Sequence, residues 1–301
     1  MLTAMEMRQI ERSGLEPRRD KLDAYGPEAL FREAWRDTCE VLGGDLAEVL
    51  PRIAVLTLKP DAIVSRRGAQ CLDFLTRAGF RLLGARPFTM NRLLMHEIWR
   101  YQWNCATLDK SRLFDLMFAG RRCLALYLLD ERPEGGHRGA RRLSALKGPA
   151  DAARRAPHHL RTSIGMRNPM LSFVHTPDEP IDVVRELGLM LDGPTRRRWL
   201  RRLRTPTGDL ENAVLLTLRE LEARTPAHDL DPHEVLARRL GASSLSDWGW
   251  SGLDDVRRAL GPARSPQAAW DLITLAAEVV TPHLAGVAPR LPGPPGLRAA
   301  Q

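Results

Sequence analysis

The sequence predicts an α+β protein built on a βαββαβ, ferredoxin-like sheet and finished by an all-helical C-terminal part. Two observations carry this prediction. Between Arg52 and Leu191, short apolar runs bounded by turn residues interleave with segments of helical periodicity, the order expected of a mainly antiparallel sheet with helices on one face. After Gly193-Pro194 no further strand-like run occurs, and the chain becomes helical and arginine-rich. A chain of 301 residues has room for this division. It is read as an N-terminal arm and helix over 1–50, a sheet-bearing part over 51–192 and a helical part over 193–301.

Residues 1–26 are polar and mixed in charge and read as a poorly ordered arm. From Pro27 to Leu50, Leu30, Ala34, Trp35, Val41 and Leu42 recur at near-helical spacing, so a helix is predicted that breaks around Gly43 and Gly44. RIAVLTL, Arg52 to Leu58, is a buried strand stopped by Lys59-Pro60-Asp61. Ala69 to Ala78 is amphipathic and ends before Gly79, a suitable C-cap. Phe80 to Met90 is the second strand. Helices follow over Arg92 to Trp103 and Ser111 to Phe118. CLALYLL, Cys123 to Leu129, is the third strand, and Gly139 to Leu146 a short helix. Met170 to Val174 is the fourth strand, with His175 at its end, and Pro180 to Leu191 the helix behind it. In the C-terminal part, Leu210, Val214, Leu215, Leu218 and Leu221 share one face of a helix over Asp209 to Arg224. Asp231-Pro232-His233-Glu234 and Ser265-Pro266 have the pattern of helix starts. The Pro/Gly-rich tail from Pro289 reads as loose.

With 44% hydrophobic and 27% charged residues the composition is that of an ordinary globular protein. No apolar run approaches the roughly 20 residues that span a bilayer, and the N-terminus has no signal-peptide core, so a cytoplasmic location and no membrane partner are expected. Cys39, Cys71, Cys105 and Cys123 are too scattered for a disulfide framework or a zinc site and read as reduced thiols. The net charge of +8 points to an anionic partner. Only Lys21, Lys59, Lys110 and Lys147 are lysines against 41 arginines, which singles out each lysine for attention. The basic run TRRRWLRRLR, Thr195 to Arg204, fits an amphipathic helix packed by Trp199, Leu200 and Leu203. Nucleic acid is not the expected partner, since no recognition motif accompanies the run.

His175 follows an apolar strand and has Glu186 eleven residues later in the next helix. A carboxylate there can orient the imidazole and leave its other nitrogen free to attack; the same position also suits a hydrogen-bonded structural histidine. Arg141, Arg142 and Arg161 lie upstream, and guanidinium groups suit phosphate oxygens. Lys59 ends an apolar strand in a chain nearly devoid of lysine.

In order along the chain, RIAVLTLKPDAIV, GAQCLDFLTRAGFRLLGARPFTM, MFAGRRCLALYLL, RRLSALKGPADAARRAPHHLR and FVHTPDEPIDVVREL resemble segments of the nucleoside diphosphate kinases, over about 140 residues. The resemblance implies a γ-phosphoryl transfer from a nucleoside triphosphate to histidine and on to a nucleoside diphosphate, with Mg²⁺ on the phosphates. Carried over residue by residue, His175 is the phosphoryl acceptor and Glu186 the carboxylate that orients it. Lys59 and Tyr101 serve the sugar and phosphate end. Arg161 is the second phosphate arginine and Arg141 the first, with Arg142 as its alternative. Asp178 matches the aspartate of the turn after the histidine.

The sequence also departs from that pattern. Ser172 stands where the family has an asparagine for the sugar hydroxyl, with Asn168 nearby and one extra residue between Arg161 and His175. Pro177 replaces a serine, Lys147 a phosphate-binding threonine, and Asp109 the phenylalanine that stacks on the base, with Trp103 near in sequence. The resemblance therefore implies either a phosphotransferase working through phospho-His175 on a nucleoside diphosphate or other acceptor, or a catalytically impaired, kinase-like scaffold or nucleotide-binding regulator. Its C-terminal helices would then serve a homo-oligomer or a protein partner.

Overall fold

The run IAVLTL contains a single polar side chain, and the structure buries the whole of it. This computed structural model describes residues 2–132, 139–204 and 210–293. Four strands, β1 (Ile53–Leu58), β2 (Phe80–Thr89), β3 (Arg122–Asp130) and β4 (Val174–His175), form one sheet in the order β2-β3-β1-β4. Every neighbouring pair is antiparallel. The protein is α+β, as the sequence predicts.

Among the described residues, sixteen α-helices surround the sheet. Before β1 come α1 (Ala4–Arg12), α2 (Arg19–Tyr25), α3 (Ala29–Leu42) and α4 (Leu46–Val49). Between β1 and β2 lie α5 (Pro60–Val64) and α6 (Gly68–Arg77), and between β2 and β3 lie α7 (Arg92–Ile98) and α8 (Leu108–Phe118). The connection from β3 to β4 holds α9 (Gly139–Lys147) and α10 (Leu160–Ser163). After β4 follow α11 (Pro180–Met190), α12 (Gly193–Arg204), α13 (Glu211–Ala223), α14 (Pro232–Leu240), α15 (Leu253–Leu260) and α16 (Pro266–Val279).

Helices on one face were the expectation, but both faces are covered. Ala54, Leu56 and Leu58 of β1 and Leu124, Leu126 and Leu128 of β3 face a core completed by α6, α8, α13 and α16. The alternate residues Ile53, Val55, Ala125, Tyr127 and Leu129 face a second core made with α3, α11 and α12. A strand buried on both sides must be apolar throughout, which is why β1 and β3 read as continuous runs without polar alternation.

The N-terminal segment is not a loose arm. Thr3 caps α1 in a reciprocal capping box with Glu6, and Ile10, Leu15, Leu22 and Tyr25 are buried in the second core. Its polar residues are partners for distant groups, so their composition misled. The tail is likewise held as far as it is described. The Arg290 N–H donates to the Tyr101 carbonyl (2.9 Å), Leu291 is buried, and Arg18 donates to the Pro292 carbonyl (2.6 Å). Residues 294–301 lie outside the described residues. Strand β4 is shorter than predicted, because Phe173 turns the backbone out of the extended region (φ 60°).

Two arginines of the basic run of α12 are engaged within the molecule, while Arg198, Arg201 and Arg202 stay exposed. Arg196 is buried and its guanidinium bonds Asp37 (2.6 and 2.9 Å) and Glu33 (2.7 Å) of α3, while Arg197 reaches Asp37 (2.6 Å) and Glu40 (2.7 Å). Leu200 and Leu203 face the core. In the C-terminal part, buried His228 and Asp271 form a pin (3.1 Å) that Arg238 and Arg239 complete.

Helix α11 packs on α3 through Gly188. A Cβ there would stand 2.6 Å from the Leu30 carbonyl oxygen and 3.0 Å from the Ala34 Cβ. Gly188→Ala is therefore expected to push the two helices apart and lower stability by about 1–3 kcal/mol, despite its better helix propensity. Urea unfolding checks this, and an unchanged midpoint would mean that the contact gives way freely.

Candidate active site

Strand β1 ends at Leu58, and Pro60, whose nitrogen has no proton to donate, opens α5 at its first turn. Between them Lys59 is held almost completely buried, its Nζ 3.3 Å from Oδ2 of the fully buried Asp61. The same turn grips Phe173 from both sides. The Lys59 N–H donates to the Phe173 carbonyl (2.9 Å), and the Phe173 N–H donates to Asp61 Oδ2 (2.8 Å). Phe173 adopts the left-handed φ of 60°, unusual for a bulky residue. The Val174 N–H closes a tight turn on the Ser172 carbonyl (2.6 Å). His175 emerges two residues later, paired opposite Thr57 of β1.

Glu186 projects from α11 to meet it, with His175 Nε2 2.8 Å from Glu186 Oε1. This leaves Nδ1 as the ring nitrogen without that commitment. Glu186 Oε2 is buried with no hydrogen-bond partner among the described residues. Helix α11 is itself fixed by the N-terminal helices. Lys21 Nζ lies 2.5 Å from Asp182, and the Tyr25 hydroxyl donates to the other oxygen of that carboxylate (2.7 Å). Arg185 forks onto Glu28 (2.6 and 3.0 Å).

His175 opens on a cleft of about 200 Å³, whose walls include Lys59, Arg161 and Ser172 among the residues expected from sequence. Arg161 donates to the carbonyls of Gly148 (2.8 Å) and Val174 (3.3 Å), and its Nε is buried without a partner among the described residues. Burial pushes the Lys59 ammonium below the usual lysine range, helped by Arg161 and opposed by Asp61. Burial also brings the Arg161 guanidinium down to about 10. Lys147 stands behind the histidine rather than in the cleft wall, donating to the Thr176 hydroxyl (2.8 Å) and lying 3.5 Å from Asp178. Burial works to raise the Asp178 carboxyl, but Lys147 and the Ser144 hydroxyl outweigh it and hold it below the usual range.

Other expected residues are engaged elsewhere. Tyr101 points its hydroxyl to the Ala24 carbonyl and Glu28 (2.8 Å each) and is not part of the cleft wall. Arg141 donates to the Glu16 carbonyl (2.9 Å) and lies 3.5 Å from Glu179. Arg142 is bound to Asp130 (2.6 Å) and the Ala78 carbonyl and stacks on Phe80. Neither guanidinium reaches the cleft, because α9 turns that face toward the N-terminal segment and the end of β3. Asn168 clamps α16, donating to the Ala277 carbonyl (2.7 Å) and Glu278 (3.1 Å).

The cleft also contains residues that sequence reasoning missed. Trp99 meets the His175 ring edge-on, centroids 5.1 Å apart. Phe114 lies edge-on to Trp99 (5.8 Å) and to Trp103 (5.7 Å). These rings form an aromatic wall of the cleft and meet one another edge-on. Helical spacing offered the signal: Lys110 and Phe114 stand four residues apart on α8, on one face. Lys110, one of the four lysines, lines the cleft as well. His283, supplied by the chain after α16, had no signal in sequence. Among the described residues, no group of three or more His, Cys, Asp or Glu side chains is arranged to hold a metal ion.

Replacing Lys59 with an uncharged residue strands the Asp61 carboxylate in the core. Lys59→Met is expected to lower stability by roughly 3–5 kcal/mol. The double variant Lys59→Met/Asp61→Asn should recover most of that loss, because asparagine still accepts from Phe173 without a charge. Anion binding at the cleft should stay lost in both. Chemical unfolding and a phosphate-binding titration separate the two roles, and full anion affinity in the double variant would remove Lys59 from the binding site.

No protein-family model and no curated protein matches the chain. Among solved structures it is similar to the nucleoside diphosphate kinase of Aquifex aeolicus, with 20% identity and a TM-score of 0.40 over 48% of this chain and 97% of that one. It is also similar to an NDP kinase from Pyrobaculum aerophilum, with 14% identity and a TM-score of 0.40 over 48% and 97% of the two chains.

Proposed function

We propose that this protein is a phosphotransferase that takes the terminal phosphoryl group of a nucleoside triphosphate onto His175 and passes it to a nucleoside diphosphate or another acceptor. The observation that carries this reading is the His175–Glu186 pair (2.8 Å) at the wall of a cleft lined by Lys59 and Arg161. The ordered sequence resemblance to nucleoside diphosphate kinases supports it, with residues 51–192 as the ferredoxin-like transfer unit.

In the proposed step Nε2–H of a neutral imidazole donates to Glu186, and the Nδ1 lone pair attacks the terminal phosphorus. The N–P bond forms as the bond to the bridging oxygen breaks, and that oxygen leaves with its electron pair on the diphosphate. A terminal oxygen of the acceptor then attacks the phosphorus and releases the imidazole. Lys59 and Arg161 supply positive charge to the phosphoryl oxygens in a site partly closed to water, where positioning and electrostatics carry most of such a reaction. Among the described residues, no carboxylate lines the cleft. Mg²⁺ would therefore arrive on the phosphates, with no carboxylate of the cleft wall as ligand.

A second reading, a catalytically impaired scaffold acting through residues 193–301 on a protein partner or a second copy, is favoured by the engagement of Tyr101 and Arg141 away from the cleft. Incubation with γ-labelled ATP and Mg²⁺ distinguishes them. Transfer predicts an acid-labile, alkali-stable label that His175→Ala abolishes and Glu186→Gln slows by roughly 10²-fold, the scale of a misoriented reacting group. A folded protein that takes no label would favour the scaffold.

A further inference from the structure

The chain beyond α16 runs back along the loop after α7. The Thr107 N–H donates to the Pro282 carbonyl (3.4 Å), the Leu284 N–H to the Cys105 carbonyl (2.8 Å) and the Arg290 N–H to the Tyr101 carbonyl (2.9 Å). This strap carries His283 to the cleft, where its Nε2 lies 3.2 Å from Lys110 Nζ. We propose that Lys110 and His283 form a second anion subsite in the cleft of His175, so that the site selects a compact oligophosphate over the nucleoside part of a nucleotide.

Several observations support this assignment. Lys110 makes no ion pair with a carboxylate among the described residues, and neither does His283. Lys110 is held instead over the rings of Trp103 (5.8 Å) and Phe114 (5.9 Å), an arrangement that keeps a cation in place without neutralising it. The Trp103 indole N–H is buried with no acceptor among the described residues. Among the described residues, the cleft wall carries Lys59, Lys110, Arg161, His175 and His283 and no acidic side chain, which suits charge distributed along the whole ligand. Its volume of about 200 Å³ is below the roughly 300–1,000 Å³ typical of clefts that bury a drug-sized molecule. Trp99, Trp103 and Phe114 meet edge-on, so the aromatic wall is filled by its own ring contacts. A chain of phosphates places one end at His175 and the other at Lys110 and His283.

The substrate class rests on the transfer reading, but binding does not need the histidine to react. Isothermal titration of the full chain with tripolyphosphate, ATP and adenosine is the test, with labelling of His175 scored separately. Tripolyphosphate is expected to bind at least as tightly as ATP, and adenosine not at all. Lys110→Met and His283→Gln should each weaken tripolyphosphate by about tenfold, the worth of one charge-assisted hydrogen bond. Lys110→Arg, which keeps the charge, should retain it. Tenfold tighter binding of ATP than of tripolyphosphate would overturn the inference, as would full tripolyphosphate affinity in the Lys110→Met and His283→Gln variants. Binding with this dependence but no label on His175 would uphold the subsite and sink the transfer reading. Label without this dependence would do the reverse.

Discussion

The site depends on one clamp, the grip of the Lys59-Pro60-Asp61 turn on Phe173. Its hydrogen bonds to both sides of one residue (2.9 and 2.8 Å) hold a phenylalanine in the left-handed region. Backbone strain of this kind persists only where the surroundings over-determine it. Here the over-determination comes from a buried carboxylate that is itself answered by a buried ammonium. Remove either charge and the other is stranded. The turn therefore sets the direction in which β4 starts, and with it the position of His175. One lysine is at once a partner of the fold and a wall of the cleft.

The second half of the site is held from the opposite side. Glu186 can orient His175 only if α11 is fixed, and α11 is fixed by partners from the N-terminal helices. Lys21, Tyr25 and Glu28 reach Asp182 and Arg185 across more than 150 residues of sequence. The acidic face of α3 then draws in α12 through Arg196 and Arg197. Burying charges costs several kcal/mol each unless they are paired and hydrogen-bonded, so these networks are intolerant of single losses. The histidine thus sits where two separately anchored frames meet, the β1 turn on one side and α11 on the other.

What the sequence made legible was local. The helix starts at Asp231 and Ser265 and the apolar runs of β1 and β3 follow from periodicity and cap chemistry within a few residues. The His175–Glu186 contact was legible because strand and helix are adjacent in the chain. What was not legible depended on distant partners. Residues 1–26 read as an arm because Lys21 has no local partner, only Asp182 far along the chain. Arg141 and Arg142 read as phosphate ligands because composition cannot say which way a helix turns; their acceptors are Glu16, Asp130 and Ala78. Covering helices on the second sheet face were missed for the same reason. The uniform hydrophobicity of β1 contained the hint, since a half-exposed strand would alternate.

The near-absence of lysine has a consequence for watching this molecule move. Lys21, Lys59 and Lys147 are buried, and Lys110 lines the cleft. A lysine-specific protease or an amine-reactive reagent would find Lys21, Lys59 and Lys147 withdrawn in the native state. Attack at Lys21 then reports release of the N-terminal helices, and attack at Lys59 or Lys147 reports opening of the core around the histidine. When such opening is fast relative to cleavage, the rate at each position measures a local free energy. Three side chains thereby become internal gauges of how the parts of the fold come undone.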